Sequence, residues 1–391
     1  MANLPFTHAE YTTRLAKTRA AMAIRGLDAV FITDPSNMGW LTGYDGWSFY
    51  VHQGVLLTHE GEPVWWGRDM DVNGAIRTTY LNSDNIVGYE DSYVQNPVKH
   101  PMEDLSALIR ARGLECATIG LEMDNYYFTA SAFVTLQREL PNVRFDDATG
   151  LVNWQRAVKS PTEIDYIRRA ARIVERMHGI IRERAAPGIC KHDLIADIYH
   201  ASICGADGHW GDYPAMVPMA PSGVDATAPH LTWDDRPMRV DENTFFEIAG
   251  AYRRYHCPQS RTVYLGKPPQ KFYDAEKAVV EAIEAGLEQA RPGNHAEDIA
   301  IAFNTRLNQL GFVKDSRCGY AIGMSYPPDW GERTISFRRG DKTVLEPGMT
   351  FHFMPALWLD EGGLEITEPI LITETGVECF CQTPRELFVK E

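Results

Sequence analysis

This sequence predicts an α/β chain in two domains, residues 1–155 and 156–391. Three observations lead there. At 391 residues it is long for one hydrophobic core. Its first part alternates helix-period and strand-period segments across short turns. Then Lys159-Ser-Pro-Thr-Glu163 restarts the chain, with a proline at the first helical position and a glutamate in the first turn.

In order, residues 7–25 read as an amphipathic helix stopped by Gly26, and Leu27 to Thr33 as a strand. Asp34-Pro-Ser-Asn37 reads as a turn, and Gly43 to Tyr50 as a glycine-flanked aromatic loop. Strands are expected at 51–57, 62–66, 85–88 and 118–122, and helices at 102–112 and 129–140. In the second half, helices are expected at 162–185, 191–204, 272–290 and 296–310. Strands are expected at 216–219, 244–249, 349–354, 357–359, 364–367 and 369–373. Helix pair then strands occurs twice, at 162–265 and 272–373, which suggests an internal duplication.

Composition narrows function. The net charge of −15, without a basic block, argues against nucleic acid and anionic membranes as partners. Seven cysteines, an odd number and with no Cys-x-x-Cys, argue against a disulfide framework or a zinc knot. The start, Met1-Ala-Asn-Leu-Pro-Phe, lacks a signal peptide's charged and apolar regions, and no run approaches membrane length. A cytoplasmic enzyme or binding protein is expected.

The stretch on which function turns is Thr244-Phe-Phe-Glu-Ile-Ala249. It reads as a buried strand carrying one carboxylate, Glu247, which there must be paired, coordinated or protonated. No dinucleotide fingerprint, Walker loop, zincin motif or nucleophile elbow is present. Cys257 adjoins His256, but neighbours on a strand face opposite ways, so both get a structural reading.

Ala220-Pro-Ser-Gly through Pro229-His230, Gly319-Tyr-Ala-Ile322, Glu346-Pro-Gly-Met349 and the strand pair at 364–373 come in an order that resembles the creatinase, aminopeptidase P and prolidase superfamily. The resemblance implies a creatinase-like N-terminal domain and a C-terminal pita-bread domain with a pseudo-twofold repeat. It also implies a site at Glu247 and His230, and a homodimer in which one subunit's N-terminal domain overhangs its partner's site. The family's metallopeptidases hold a metal with five ligands. Their positions fall here on Glu247, Pro258, Tyr320, Met354 and Thr367. Most cannot ligate a divalent cation, so no metal or other cofactor is expected. Within the superfamily, Gly323-Met-Ser-Tyr-Pro-Pro-Asp-Trp-Gly-Glu-Arg-Thr334, Gly43 to Tyr50 and Phe246 to Ala251 resemble the ectoine hydrolases. These imply opening of a cyclic amidinium carboxylate, with a deacetylase as functional partner.

On that resemblance, Glu247 is the candidate nucleophile or water-activating base, and His230 the proton shuttle. Glu365 is expected at the second ring nitrogen, with Thr367 on the same strand face. Tyr320 and Tyr326 are candidate hydrogen-bond donors, Trp47, Tyr326 and Trp330 candidate faces for a cation, and Arg333 or Arg338 candidates for the substrate carboxylate. Each has a structural alternative. Glu247 can pair with Arg253 or Arg261; His230 can be a satisfied core or turn histidine; the tryptophans can simply pack; one of Glu365 and Glu368 can face a structural partner; the arginines can be surface residues; and His352, like His256, gets the structural reading. Rival functions are a metal-dependent Xaa-Pro peptidase-like hydrolase and a non-catalytic binding protein of the same fold.

Overall fold

The computed structural model describes residues 4–390. The chain divides into two compact units, Met1–Gln155 and Arg156–Glu391.

The first unit is built on a six-stranded sheet. Its strands are β1 (Ala29–Ile32), β2 (Gly54–Thr58), β3 (Val64–Arg68), β4 (Ile86–Tyr89), β5 (Thr118–Leu121) and β6 (Arg144–Asp147), in spatial order β4-β3-β2-β1-β5-β6. The β1–β2–β3 meander is antiparallel and both flanks are parallel. Helices α1 (His8–Ile24), α2 (Pro35–Thr42), α3 (Val72–Thr78), α4 (Pro101–Ala111), α5 (Ala130–Glu139) and α6 (Leu151–Gln155) complete the unit. Phe31, Leu56, Trp66, Leu105 and Leu136 fill one side of the sheet.

The Asp34-Pro-Ser-Asn37 turn is instead the start of α2. The Asp34 carboxylate accepts from Ser36 N at 2.8 Å and Pro35 takes the first helical position, where its missing N–H costs nothing.

The second unit opens with α7 (Pro161–Arg184), started by a capping box between Ser160 and Glu163, and continues with α8 (Lys191–Cys204). A long antiparallel hairpin follows, β7 (Glu242–Tyr252) and β8 (Tyr255–Leu265). Helices α9 (Gln270–Gln289) and α10 (Ala296–Gln309) lead to β9 (Gly319–Ile322), β10 (Gly331–Ser336), β11 (Thr350–Phe353), β12 (Ala356–Leu359), β13 (Gly362–Glu365), β14 (Glu368–Ile372), β15 (Val377–Cys379) and β16 (Phe388–Lys390). One sheet runs β10-β9-β11-β14-β15, a second β16-β8-β7, and β12 and β13 pair as a ribbon. Each half supplies a helix pair and then strands. The strand expected at 216–219 is not one: Met219 makes only an isolated bridge to Glu247. A single bridge is what remains when Pro214 and Pro218 break the ladder.

The second core collects Phe272, Val279, Ile283, Ile299 and Phe303 of α9 and α10 against Phe351, Phe353, Ile370 and Ile372. Within this unit Lys159 Nζ meets Glu332 Oε2 at 2.5 Å, both about 1% exposed. The same carboxylate accepts from Arg156, whose guanidinium also donates to Met324 O. This ion cluster ties the chain before α7 to the Gly323–Glu332 segment.

Candidate active site

Glu247 stands in the middle of β7, opposite Ser260 of β8, so the two side chains leave the same face of the hairpin. The opposite face is taken by α7. A Cβ on Gly250 would lie 2.1 Å from Ala170 O, so helix and strand approach too closely there for any side chain. The Glu247 backbone exchanges hydrogen bonds with Met219 on its free edge, at 3.1 and 3.0 Å. The carboxylate is thereby held in place by its own main chain.

Ser260 gathers the neighbours. Its hydroxyl donates to Glu365 Oε2 at 2.6 Å and its N–H to Thr367 Oγ1 at 2.7 Å. Thr262, one step along the same face of β8, fixes the Glu365 backbone, accepting from its N–H at 2.8 Å. Thr367 then meets His352 Nε2 at 2.8 Å, His352 Nδ1 meets the Tyr320 hydroxyl at 3.0 Å, and Trp330 Nε1 donates to that same hydroxyl at 2.8 Å. The register explains the chain of contacts, because β11 lies between β9 and β14 and sets His352 directly across from Tyr320. Ala215, Ala249, Ile322, Met216 and Met354 pack beside Tyr320 and Trp330 as an apolar wall.

Burial dominates the electrostatics. Glu247 is 5% exposed, and among the described residues its carboxylate has no side-chain hydrogen-bond or ion-pair partner. Burial, then Glu365 and Asp329, push its pKa well above the ordinary value, and only Lys314 opposes them. Glu365 is pushed up to about 7 by burial, against the Ser260 hydrogen bond and Lys314. Burial holds the Tyr320 phenol firmly protonated, and the charge of Glu247 adds to it. His352 is lowered to about 3, chiefly by burial, and is neutral. Buried and unpaired, Glu247 favours a cation as its ligand.

Arg261 is not available to Glu247. Its guanidinium is spent on Glu368 at 2.6 Å and on the carbonyls of Ser260, Thr367, Thr383 and Pro384. Glu368 is thus the structural member of the Glu365/Glu368 pair. His256 is also structural: Nε2 accepts from Ala215 N and Nδ1 donates to Arg254 O, both at 2.8 Å.

Of the residues singled out from sequence, Glu247, Glu365, Thr367, Tyr320 and Trp330 come together. His230 does not join them: it is exposed in the loop after a 3-10 turn, and no hydrogen bond or charge interaction links it to Glu247. Tyr326 is buried with its ring 5.4 Å from the Arg254 guanidinium, which leans on Tyr213. Arg333 and Arg338 are exposed. Trp47, 57% exposed, lies in the first unit with its ring 4.8 Å from that of Phe49. Sequence reasoning missed His352, Ser260 and Lys314. The Lys314 ammonium donates to Ser316 Oγ at 2.8 Å and lies within electrostatic reach of both carboxylates. The hydroxyl-rich Ser260-Arg-Thr262 step inside a buried strand was the available signal for the second.

The metal of the wider fold family does not fit these residues. The five corresponding positions offer a carboxylate, a proline, a phenol, a thioether and a hydroxyl, of which only the first is a normal ligand for a divalent ion. Among the described residues, the one trio of His, Cys, Asp or Glu ligand atoms within 4.8 Å of one another is Cys190, His192 and Asp193, on α8 and just before it.

Residues 165–374 match Metallopeptidase family M24, and residues 14–158 match the Creatinase/Prolidase N-terminal domain. A protein of Halomonas elongata named ectoine hydrolase is 59% identical over 99% of both chains. An uncharacterized hydrolase/peptidase of Sinorhizobium fredii, y4tM, is 42% identical over 100% of both. In fold, the chain resembles the prolidase of Thermococcus sibiricus, with a TM-score of 0.84 at 19% identity over 97% of this chain and 99% of that one. It also resembles the dipeptidase PepE of Mycobacterium ulcerans, with a TM-score of 0.81 at 23% identity over 98% and 99%. With both of its units matched, the chain belongs to the creatinase/prolidase superfamily and carries the catalytic domain of family M24.

Proposed function

We propose that the chain is a hydrolase that opens the cyclic amidinium of ectoine to N-acetyl-2,4-diaminobutyrate, with hydroxyectoine as a second candidate. The observation that carries this reading is Glu247, a buried carboxylate without a hydrogen-bond or ion-pair partner among the described residues, beside a second buried carboxylate and at a position where relatives of the fold hold a metal ligand. An amidinium supplies the missing charge. The likeness to the Halomonas ectoine hydrolase names the amidinium.

On binding, the cation draws Glu247 into its ionised form, offsetting the desolvation of both. Glu247 then attacks the amidinium carbon, or activates a water that does so. The ring C–N bond breaks with its electron pair on nitrogen. Over the whole reaction the water oxygen becomes the amide oxygen, and both water hydrogens end on the released amine. Glu365, with a pKa near neutrality, is suited to hold one of these protons and pass it on. His230 has that task only if its loop moves inward. Lys314 is the cation suited to the substrate carboxylate, in place of the exposed Arg333 and Arg338. No step requires a metal ion.

The reading extends to a cytoplasmic homodimer, with the Trp47 loop of one subunit lent to the other, and to a deacetylase that consumes the acetylated product. No helix among the described residues is long and apolar enough to cross a membrane. The test is incubation of purified protein with ectoine and EDTA, followed by mass spectrometry. Appearance of the acetylated diamino acid supports the reading. Tight binding without product selects a binding protein, and turnover that EDTA abolishes selects a metallohydrolase.

A further inference from the structure

Thr367, His352, Tyr320 and Trp330 form one hydrogen-bonded row, and the positions of its protons follow from counting donors and acceptors. Thr367 Oγ1 accepts from Ser260 N at 2.7 Å, and its other contact among the described residues is His352 Nε2 at 2.8 Å. Thr367 is fully buried. If Nε2 carried a hydrogen, the threonine hydroxyl would accept twice and its own proton would be stranded, at a cost of about 1–3 kcal/mol. The threonine proton therefore goes to Nε2, and a neutral imidazole must carry its hydrogen on Nδ1. Nδ1–H then points at the Tyr320 oxygen, 3.0 Å away, which already accepts from Trp330 Nε1 at 2.8 Å. With both lone pairs occupied, the tyrosine proton has no acceptor in the row and is left for a group outside it.

We propose that Tyr320 is a catalytic hydrogen-bond donor to the substrate nitrogen, with its proton aimed by Trp330 and by the Thr367–His352 pair acting as positioning residues. This rests on the amidinium reading above. It adds a selectivity in time. Both nitrogens of an amidinium are N–H donors without a free lone pair, so the bound substrate offers Tyr320 nothing to bond. When a carboxylate or water oxygen bonds to the central carbon, the C=N π pair moves onto nitrogen. The lone pair so formed is the first acceptor that the substrate ring itself offers the Tyr320 proton. The bond exists in the transition state and not in the ground state, which is the condition for raising kcat. The neutral imidazole that the scheme requires agrees with the lowered pKa of His352.

Two measurements on the full-length protein test this. In 15N imidazole NMR, with His352 assigned by difference against His352→Gln, the wild type shows the Nδ1–H tautomer. Thr367→Val switches it to Nε2–H, and Thr367→Ser leaves it unchanged. An Nε2–H tautomer in the wild type overturns the proton assignment. In kinetics, Tyr320→Phe lowers kcat about 10²-fold with KM nearly unchanged. Thr367→Val lowers it in the same way, and Thr367→Ser restores it. A Tyr320→Phe enzyme within threefold of wild type, or one whose loss lies wholly in KM, overturns the proposal while leaving the amidinium reading intact. Failure of the wild type to turn over ectoine removes that reading instead, and the NMR result still decides where the Tyr320 proton points.

Discussion

The Ser260 hydroxyl lies 2.6 Å from Glu365 Oε2, while Glu247, directly opposite Ser260 in the hairpin register, receives no such bond. The two buried carboxylates are therefore different groups. One is oriented by a neutral donor; the other has no such donor among the described residues. Glu247→Gln, which keeps the shape and removes the charge, is expected to lower kcat/KM for ectoine by at least about 10³-fold. Ring opening at near wild-type rate in this variant, followed by mass spectrometry, removes Glu247 from the mechanism.

Glu365→Gln separates stability from activity. The folded-state pKa of Glu365, about 7, is raised above its ordinary 4.5, so the native state holds a proton that the unfolded chain releases. Stability from this group is unaffected below pH 4.5, falls as pH rises toward 7, and stays lower above it. The glutamine variant escapes that loss. It is expected to be more stable than wild type at pH 8 by roughly 3 kcal/mol and close to it at pH 4.5. Equal denaturant midpoints for the two proteins at pH 8 contradict the assignment. Activity falls at both pH values.

Lys314 is the charge that opposes protonation of both acids. Without it their pKa values rise further, and less Glu247 is ionised at any given pH. Lys314→Met is therefore expected to move the acid limb of the kcat/KM profile to higher pH. If the ammonium also meets the substrate carboxylate, KM rises about tenfold or more. An unchanged profile and unchanged KM place Lys314 outside the site.

The Lys159–Glu332 pair supports the segment that carries Trp330. Burial pushes the lysine pKa down and the glutamate pKa up, so neither ion is comfortable without the other. Lys159→Met leaves the buried Glu332 carboxylate with Arg156 as its remaining cation and is expected to cost about 3 kcal/mol in urea unfolding. Replacing both, as Lys159→Met with Glu332→Leu, takes the carboxylate from the buried Arg156 as well and recovers only part of the loss. A double variant as stable as wild type shows that the Arg156–Glu332 contact contributes nothing to the cluster.

Local signals carried much of this architecture. Ser160-Pro-Thr-Glu163 announces α7 because a capping box is written in four consecutive residues. Glu247 announces itself because a charge inside Phe-Phe-Glu-Ile has few physical explanations. The site beyond it was less legible, since it is assembled by register. Phe351-His-Phe353 reads as core until β11 is placed between β9 and β14, where His352 meets Tyr320 on one side and Thr367 on the other. His230 shows the opposite case. Its segment resembles a family motif, yet the exposure of one loop residue depends on packing that no local pattern encodes. Asp34-Pro35 carried two signals, turn and helix start, and the helix prevailed because the Asp34 side chain caps it.

The strand that presents Ser260 has a second neighbour far away in sequence. Phe388–Lys390 runs parallel to Val263–Leu265 and completes the edge of β8. Trimming or fusing sequence at Phe388–Lys390 disturbs the strand that carries Ser260. Loss of those three residues would strip β8 of its parallel neighbour immediately beyond Thr262, the residue that accepts from the Glu365 N–H.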